Sequence, residues 1–160
     1  MGDELFQGWV REHAGVLHRI ARAFADGEDQ RDLLQELLLA VWRAAPSFRG
    51  DSKVTTFIFQ VAHNRALTWR RSEMRRRRRQ SEYERLHVAD PEPDDPQVEL
   101  LYAAIRELPS VDRSIVLLSL EGQSYADIAA IHGLSETNIG ARLSRARSKL
   151  TALMETDDGL

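Results

Sequence analysis

Near the C-terminus, Thr137, Asn138, Ala141, Arg142, Ser144, Arg145, Ser148 and Lys149 fall on the side of a helical stretch opposite its apolar residues Ile139, Leu143, Ala146 and Leu150. Donors interleaved with small side chains are the chemistry that reads base edges in a DNA major groove. The residues just before them supply what such a face needs to be held in place. Ser124 begins a capping box with Asp127, Gly133 suits a left-handed turn, and Ser135 caps the next helix. The spacing Ala129, Gly133, Ile139 has the steric logic of a helix-turn-helix: a small residue for close crossing, a glycine for the turn, a branched residue to seat the second helix. The bland alternative is a helical hairpin with a solvated basic face.

Other chemistries lack their residues. With no cysteine there is no disulfide framework and no thiolate metal site. The histidines, at 13, 18, 63, 87 and 132, show no ligand spacing with carboxylates, and no glycine loop could cradle a phosphate. The sequence therefore predicts neither an enzyme nor a bound cofactor or metal. No apolar run approaches the roughly 18 residues that span a bilayer, and the N-terminus MGDELFQGW carries acids where a secretory signal carries bases, so a soluble, unprocessed, cytoplasmic chain is expected.

Charge is placed unevenly in this 160-residue chain of net charge -3. Arg70 to Arg79 carries seven arginines and one glutamate, a sum of +6, and Ser81 to Glu99 carries seven acids and one arginine, a sum of -6. Pro91, Pro93 and Pro96 keep a helix from running through the acidic block, which has almost nothing to bury. That block reads as a linker.

On both sides of it the period is helical. A first helix from Glu4 carries Leu5, Trp9, Val16, Leu17, Ile20 and Phe24; a second from about Asp29 carries Leu33, Leu34, Leu37, Leu38, Val41 and Trp42 and stops at Pro46. After the loop FRGDS, a third runs from about Lys53 on Val54, Phe57, Ile58, Val61, Ala62, Ala66 and Trp69. Beyond the linker, shorter helices are expected at Val98–Leu108, Asp112–Leu120, from Ser124 through Ala130, and from Ser135. The fold class is all-α: a helical bundle over residues 1–80, a linker over 81–97, a helix-turn-helix domain over 98–154 and a tail over 155–160.

The order of motifs adds a resemblance. RDLLQELLLAVWRA, FRGDSKVTTFIFQVAHNRAL, an arginine run, an acidic linker and LPSVDRSIVLLSLEGQSYADIAAIHGLSETNIGARLSRARSKL resemble the signatures of extracytoplasmic-function sigma factors of the sigma-70 family, over roughly residues 5 to 153. The resemblance implies a subunit that binds bacterial RNA polymerase core through its beta-prime and beta subunits and recognises the -10 and -35 elements of promoter DNA. It also implies control by an anti-sigma factor or another regulator.

Under that resemblance the residues take roles. On the second helix, the stripe of Leu33, Leu37 and Val41 leaves Asp29, Asp32, Gln35, Glu36 and Arg43 on the outer side, where they would dock on the beta-prime coiled coil; Asp29 and Asp32 also suit a helix N-terminus. Opening a promoter needs cations for phosphates and surfaces that receive unstacked bases. The loop Phe48 to Thr56, with Arg49 and Lys53, together with Asn64 and Arg65, would read the -10 element, and Arg70 and Arg71 would hold its phosphates. Arg75 to Arg79 would touch upstream DNA or pair with the acidic linker until core separates them. Phe57 and Trp69, on the apolar stripe, are expected in the core. Thr137, Asn138, Ala141, Arg142, Ser144 and Arg145 would read the -35 element.

Four positions depart from the family pattern: Arg31 where an acid is common, Phe57 for a tryptophan, and Gly140 and Ala141 for a basic residue and serine. Glycine inside a helix costs about 1 kcal/mol relative to alanine and removes a long donor, although it would allow close approach to the groove. A two-domain helix-turn-helix repressor is the alternative function. It explains the C-terminal motif and leaves DLLQE and FRGDS without a purpose. An RNA-binding adaptor would rest on the arginine run alone.

Overall fold

The computed structural model describes residues 2–69 and 95–158, which belong to two compact helical units. Arg70, Arg71, the run Arg75 to Arg79 and the linker up to Asp94 lie outside the described residues. Among the described residues there is no strand, as the all-α reading expects.

The first unit contains α1 (Gly2–Phe24), α2 (Glu28–Ala44), one 3-10 turn (Ala45–Ser47) and α3 (Val54–Thr68), each helix packed on the other two. Asp3 and Glu4 in the first turn of α1 oppose the positive end of its dipole. Gly27, at a φ of 59°, turns the chain into α2, a backbone state that costs glycine little. Phe6, Trp9, Leu17 and Ile20 from α1 and Leu33, Leu34, Leu37, Leu38 and Val41 from α2 are buried. Each such side chain contributes roughly 1.5–3 kcal/mol relative to exposure, so these two stripes carry much of the unit's stability.

Two expected core residues lie outside. Leu5 is exposed and Phe6 is buried instead; Trp42 is 43% exposed and donates its Nε1–H to Asp3 Oδ1 at 3.0 Å. An indole can lie against the surface at no polar cost when its N–H has such a partner. On α3 the buried face is Ile58, Phe59, Ala62, His63 and Ala66, rotated from the predicted stripe. Val54, Phe57, Val61 and Trp69 are only half-buried. Because α3 meets both α1 and α2, its inward face is set by two neighbours, and a stripe drawn for one neighbour falls to the side.

In the second unit, α4 (Pro96–Arg106), α5 (Ser110–Leu120), α6 (Tyr125–His132) and α7 (Glu136–Asp158) follow in order. Pro96 and Gln97, expected in the linker, open α4: Asp95 caps it, its Oδ1 accepting from Gln97 N–H at 2.8 Å, and Pro96 sits where no amide hydrogen is needed. Arg113 on α5 donates from Nη2 to the carbonyls of Arg106 and Leu108, both at 2.9 Å, satisfying the end of α4. The core is Ile105, Ile115, Leu118, Ile128, Ile139 and Leu143, with Ala146 and Leu150 extending it along α7. The stripe expected on this last helix is the stripe observed.

Candidate nucleic-acid interface

The helix-turn-helix is built as its sequence requires. Ser124 Oγ accepts from Asp127 N–H at 3.1 Å to start α6, Gly133 adopts a φ of 68°, and Leu134 N–H closes the turn on Ala129 carbonyl at 3.1 Å. Ser135 Oγ then accepts from Asn138 N–H at 3.1 Å to start α7. With Ile139 and Leu143 drawn into the core, Thr137, Asn138, Ala141, Ser144, Arg145, Ser148 and Lys149 are left exposed on the other side. Most of the predicted -35 face is therefore solvent-facing as one surface.

Arg142 differs from its neighbours. It is half-buried, with Nη1 donating to Asp112 Oδ1 of α5 at 2.8 Å and Nε to Asn138 Oδ1 at 2.8 Å. An arginine counted among the outward donors is thus turned onto the body of its own domain. The reason is a carboxylate thirty residues earlier in sequence, whose charge is favoured by the first turn of α5. Behind the pair, His132 Nε2 and the fully buried Ser114 Oγ share a hydrogen bond at 2.9 Å. Burial first, and the Arg142 charge second, hold His132 below its ordinary value, which favours the neutral ring.

Sequence reasoning missed two residues here. Asp112 gave no local signal, since its role exists only through Arg142. Tyr125 is 42% exposed at the start of α6, its ring edge 3.4 Å from where a Cβ on Gly140 would stand. The missing side chain at 140 is thus matched by a neighbouring aromatic; the capping motif SYAD places that tyrosine but says nothing of what it faces.

In the first unit the predicted residues separate into an exposed set and a packed set. Arg49, Lys53 and Asn64 are exposed, and Thr56 is half-buried. Phe48 is packed edge-on to Trp9, centroids 5.4 Å apart, and against Phe57 at 5.1 Å, while Trp9 and Phe57 are 5.6 Å apart. The loop's aromatic, expected as part of a base pocket, is one side of a three-ring cluster tying the loop to α1 and α3. Such rings gain from edge-to-face contact, which anchors the base of the loop and leaves Arg49 and Lys53 outward.

The predicted core-binding face also needs correction. Asp29, Asp32 and Gln35 are half-buried and Arg43 is exposed, but Glu36 is 4% exposed. Its Oε2 accepts from Arg65 Nη2 at 3.0 Å and Nε at 3.2 Å, an arginine predicted for the -10 element. Arg65 Nη1 also donates to Thr68 Oγ1 at 3.2 Å. Two residues assigned to different partners are one ion pair between α2 and α3. The helical period of α2 alone put Glu36 outside; α3 covers it.

Family models match the chain in two places, Sigma-70 region 2 over residues 9–76 and Sigma-70 region 4 over residues 99–150. The ECF RNA polymerase sigma factor SigM of Mycobacterium tuberculosis is 33% identical over 160 residues, covering 95% of this chain and 76% of SigM. Among solved structures, CnrH in complex with the cytosolic domain of CnrY aligns with a TM-score of 0.63 at 28% identity, over 95% of this chain and 88% of CnrH. The sigma factor RpoE in complex with the anti-sigma factor NepR from Bartonella quintana aligns with a TM-score of 0.65 at 25% identity, over 94% and 99%. With both regions matched in order and the helical architecture shared, the chain belongs to the extracytoplasmic-function sigma factors of the sigma-70 family, the subunits that direct RNA polymerase to promoters.

Proposed function

We propose that the two units divide promoter recognition between them, the second reading the -35 element through Thr137, Asn138, Ala141, Ser144 and Arg145 and the first serving core binding and the -10 element. The observation that carries this reading is the exposed donor face of α7, capped at its start by Ser135 and lying opposite a buried apolar stripe. In the first unit, Asp29, Asp32, Gln35 and Arg43 form the face for the beta-prime coiled coil, and Arg49, Lys53 and Asn64 are the contacts to the -10 region. Arg70 and Arg71, outside the described residues, extend that set to the phosphates.

The chain works in the cytoplasm as a non-enzymatic subunit, and no described helix is long and apolar enough to cross a membrane. Because CnrH and RpoE were solved with CnrY and with the anti-sigma factor NepR, a protein regulator of comparable kind is proposed for this chain too. The test is transcription with purified RNA polymerase core on promoters near the chain's own gene. The factor should co-purify with core and start a discrete transcript that core alone does not. A protein that bound such DNA only by itself, as a dimer, and gave no transcript with core would overturn the reading.

A further inference from the structure

Asn138 stands in the first turn of α7, its backbone N–H capped by Ser135 Oγ, at the end of a recognition helix that meets base edges. One turn further on, Arg142 donates Nε–H to the Asn138 side chain at 2.8 Å and Nη1–H to Asp112 Oδ1 at 2.8 Å. A guanidinium carries donors and no acceptor, so the group of the amide that faces it has to be the oxygen. The amide orientation is thus dictated by its partner's chemistry. Arg142 is in turn held by a charge-assisted bond to a carboxylate that is only 21% exposed, on a different helix. The chain Asp112, Arg142, Asn138 leaves the amide with its two Nδ2 hydrogens to offer.

Base edges differ in what they can accept. In the major groove guanine presents two adjacent acceptors, N7 and O6, whereas adenine presents an acceptor and a donor and is read by asparagine through Oδ1 and Nδ2 together. An asparagine whose Oδ1 accepts from Arg142, one turn along the helix, keeps a second lone pair on that oxygen but has its amide orientation fixed toward the guanidinium. That suits the first pattern better than the second, where Oδ1 and Nδ2 must lie side by side on the base edge. We propose that Asp112, acting through Arg142, is a positioning residue that locks Asn138 as a donor, so that the promoter base facing Asn138 is read as guanine in preference to adenine. This rests on the assignment of α7 to the -35 element. It also gives Arg142 a role at the interface without a base contact of its own.

The test is transcription by reconstituted holoenzyme on a promoter library randomised through the upstream element, with Asp112→Ala, Arg142→Met and Asn138→Ala beside the parent chain. The parent should prefer guanine over adenine at one position by about tenfold, a modest figure for a base contact. Asp112→Ala and Arg142→Met should both shrink that preference to about twofold or reverse it, adenine gaining, with the other positions unchanged; Asn138→Ala should abolish it. Arg142→Met leaves the carboxylate at the start of α5, so agreement between the two variants separates release of the amide from damage to the helix. A uniform loss of transcription in the variants, or an intact preference in them while Asn138→Ala alters it, overturns the positioning role. Adenine preferred by the parent does the same. If Asn138→Ala and Arg145→Ala both leave the whole profile unchanged, the assignment of α7 itself has failed, a different result from failure of the brace alone.

Discussion

The two units treat their exposed-looking charges differently. On α7, a face drawn from helical period alone remains a face, with one residue, Arg142, drawn inward. On α2 and α3, the same procedure sent Glu36 to one partner and Arg65 to another, and they bond to each other. The difference lies in what covers the helix. Both helices have several neighbours, α7 meeting α4, α5 and α6 and α2 meeting α1 and α3. The neighbours of α7 leave its donor side exposed apart from Arg142, whereas α3 brings Arg65 over the polar side of α2 at Glu36, a cover that helical period alone does not show.

The largest expected effect follows from that burial. Glu36→Ala takes the carboxylate away from the Arg65 guanidinium, whose side chain is 20% exposed and keeps its bond to Thr68, and should destabilise the first unit by about 2–4 kcal/mol. The double variant Glu36→Leu, Arg65→Met should recover most of that loss, since breaking a buried pair costs more than replacing both partners. Trp9, Trp42 and Trp69 all lie in the first unit, so tryptophan fluorescence during urea unfolding of the whole chain reports that unit alone. A midpoint unchanged by Glu36→Ala would return Glu36 to the surface and erase the contrast.

The opposite pattern is expected at Arg145, which is exposed. Arg145→Ala should lower transcription from a promoter with an intact upstream element by about tenfold, with thermal stability unmoved. If Arg145 holds a phosphate and no base, the loss would be equal for all sequences, and the slope of log affinity against log salt would fall by about 0.9. The two outcomes decide what α7 contributes at that turn.

How much of this was legible in the sequence depended on the range of each interaction. The caps Ser124 and Ser135, the turn at Gly133 and the stripe of Ile139, Leu143, Ala146 and Leu150 are encoded within a few residues, and all were readable. Asp112 with Arg142, Glu36 with Arg65 and Trp9 with Phe48 are separated by about thirty residues or more, and each is created only by the packing of helices. Phe48 shows the consequence: a loop aromatic next to Arg49 reads as a base pocket until the ring it packs on is found in another helix.

A smaller effect should appear in the pH dependence of the second unit. His132 is held below its ordinary value of 6.5 by burial and then by Arg142. The folded ring therefore binds fewer protons than the unfolded one, so its stability contribution is complete above about pH 6.5 and is lost as pH falls below that value. Arg142→Gln removes the second cause and leaves the first. The His132 titration, followed by NMR of its ring protons, should move upward without regaining 6.5, and the acid loss of stability should narrow. An unmoved titration would mean that Asp112 already cancels the Arg142 charge at the ring.

The smallest effect concerns Gly140, where the family pattern has a basic residue. A Cβ there would stand 3.4 Å from the Tyr125 ring, and that ring is exposed and can yield. Since glycine inside a helix loses roughly 0.5–1 kcal/mol against alanine, Gly140→Ala should stabilise the second unit by up to that amount, seen as a slightly higher midpoint in thermal unfolding. What it does to transcription then separates two uses of the glycine. If promoter activity is unchanged, the residue is only room for Tyr125, and a stabilising substitution was available at no cost. If activity falls while stability rises, the absent side chain is what lets α7 approach the groove. The donor face would then depend on the absence of a side chain, whereas the Glu36–Arg65 pair of the first unit depends on two side chains that are present.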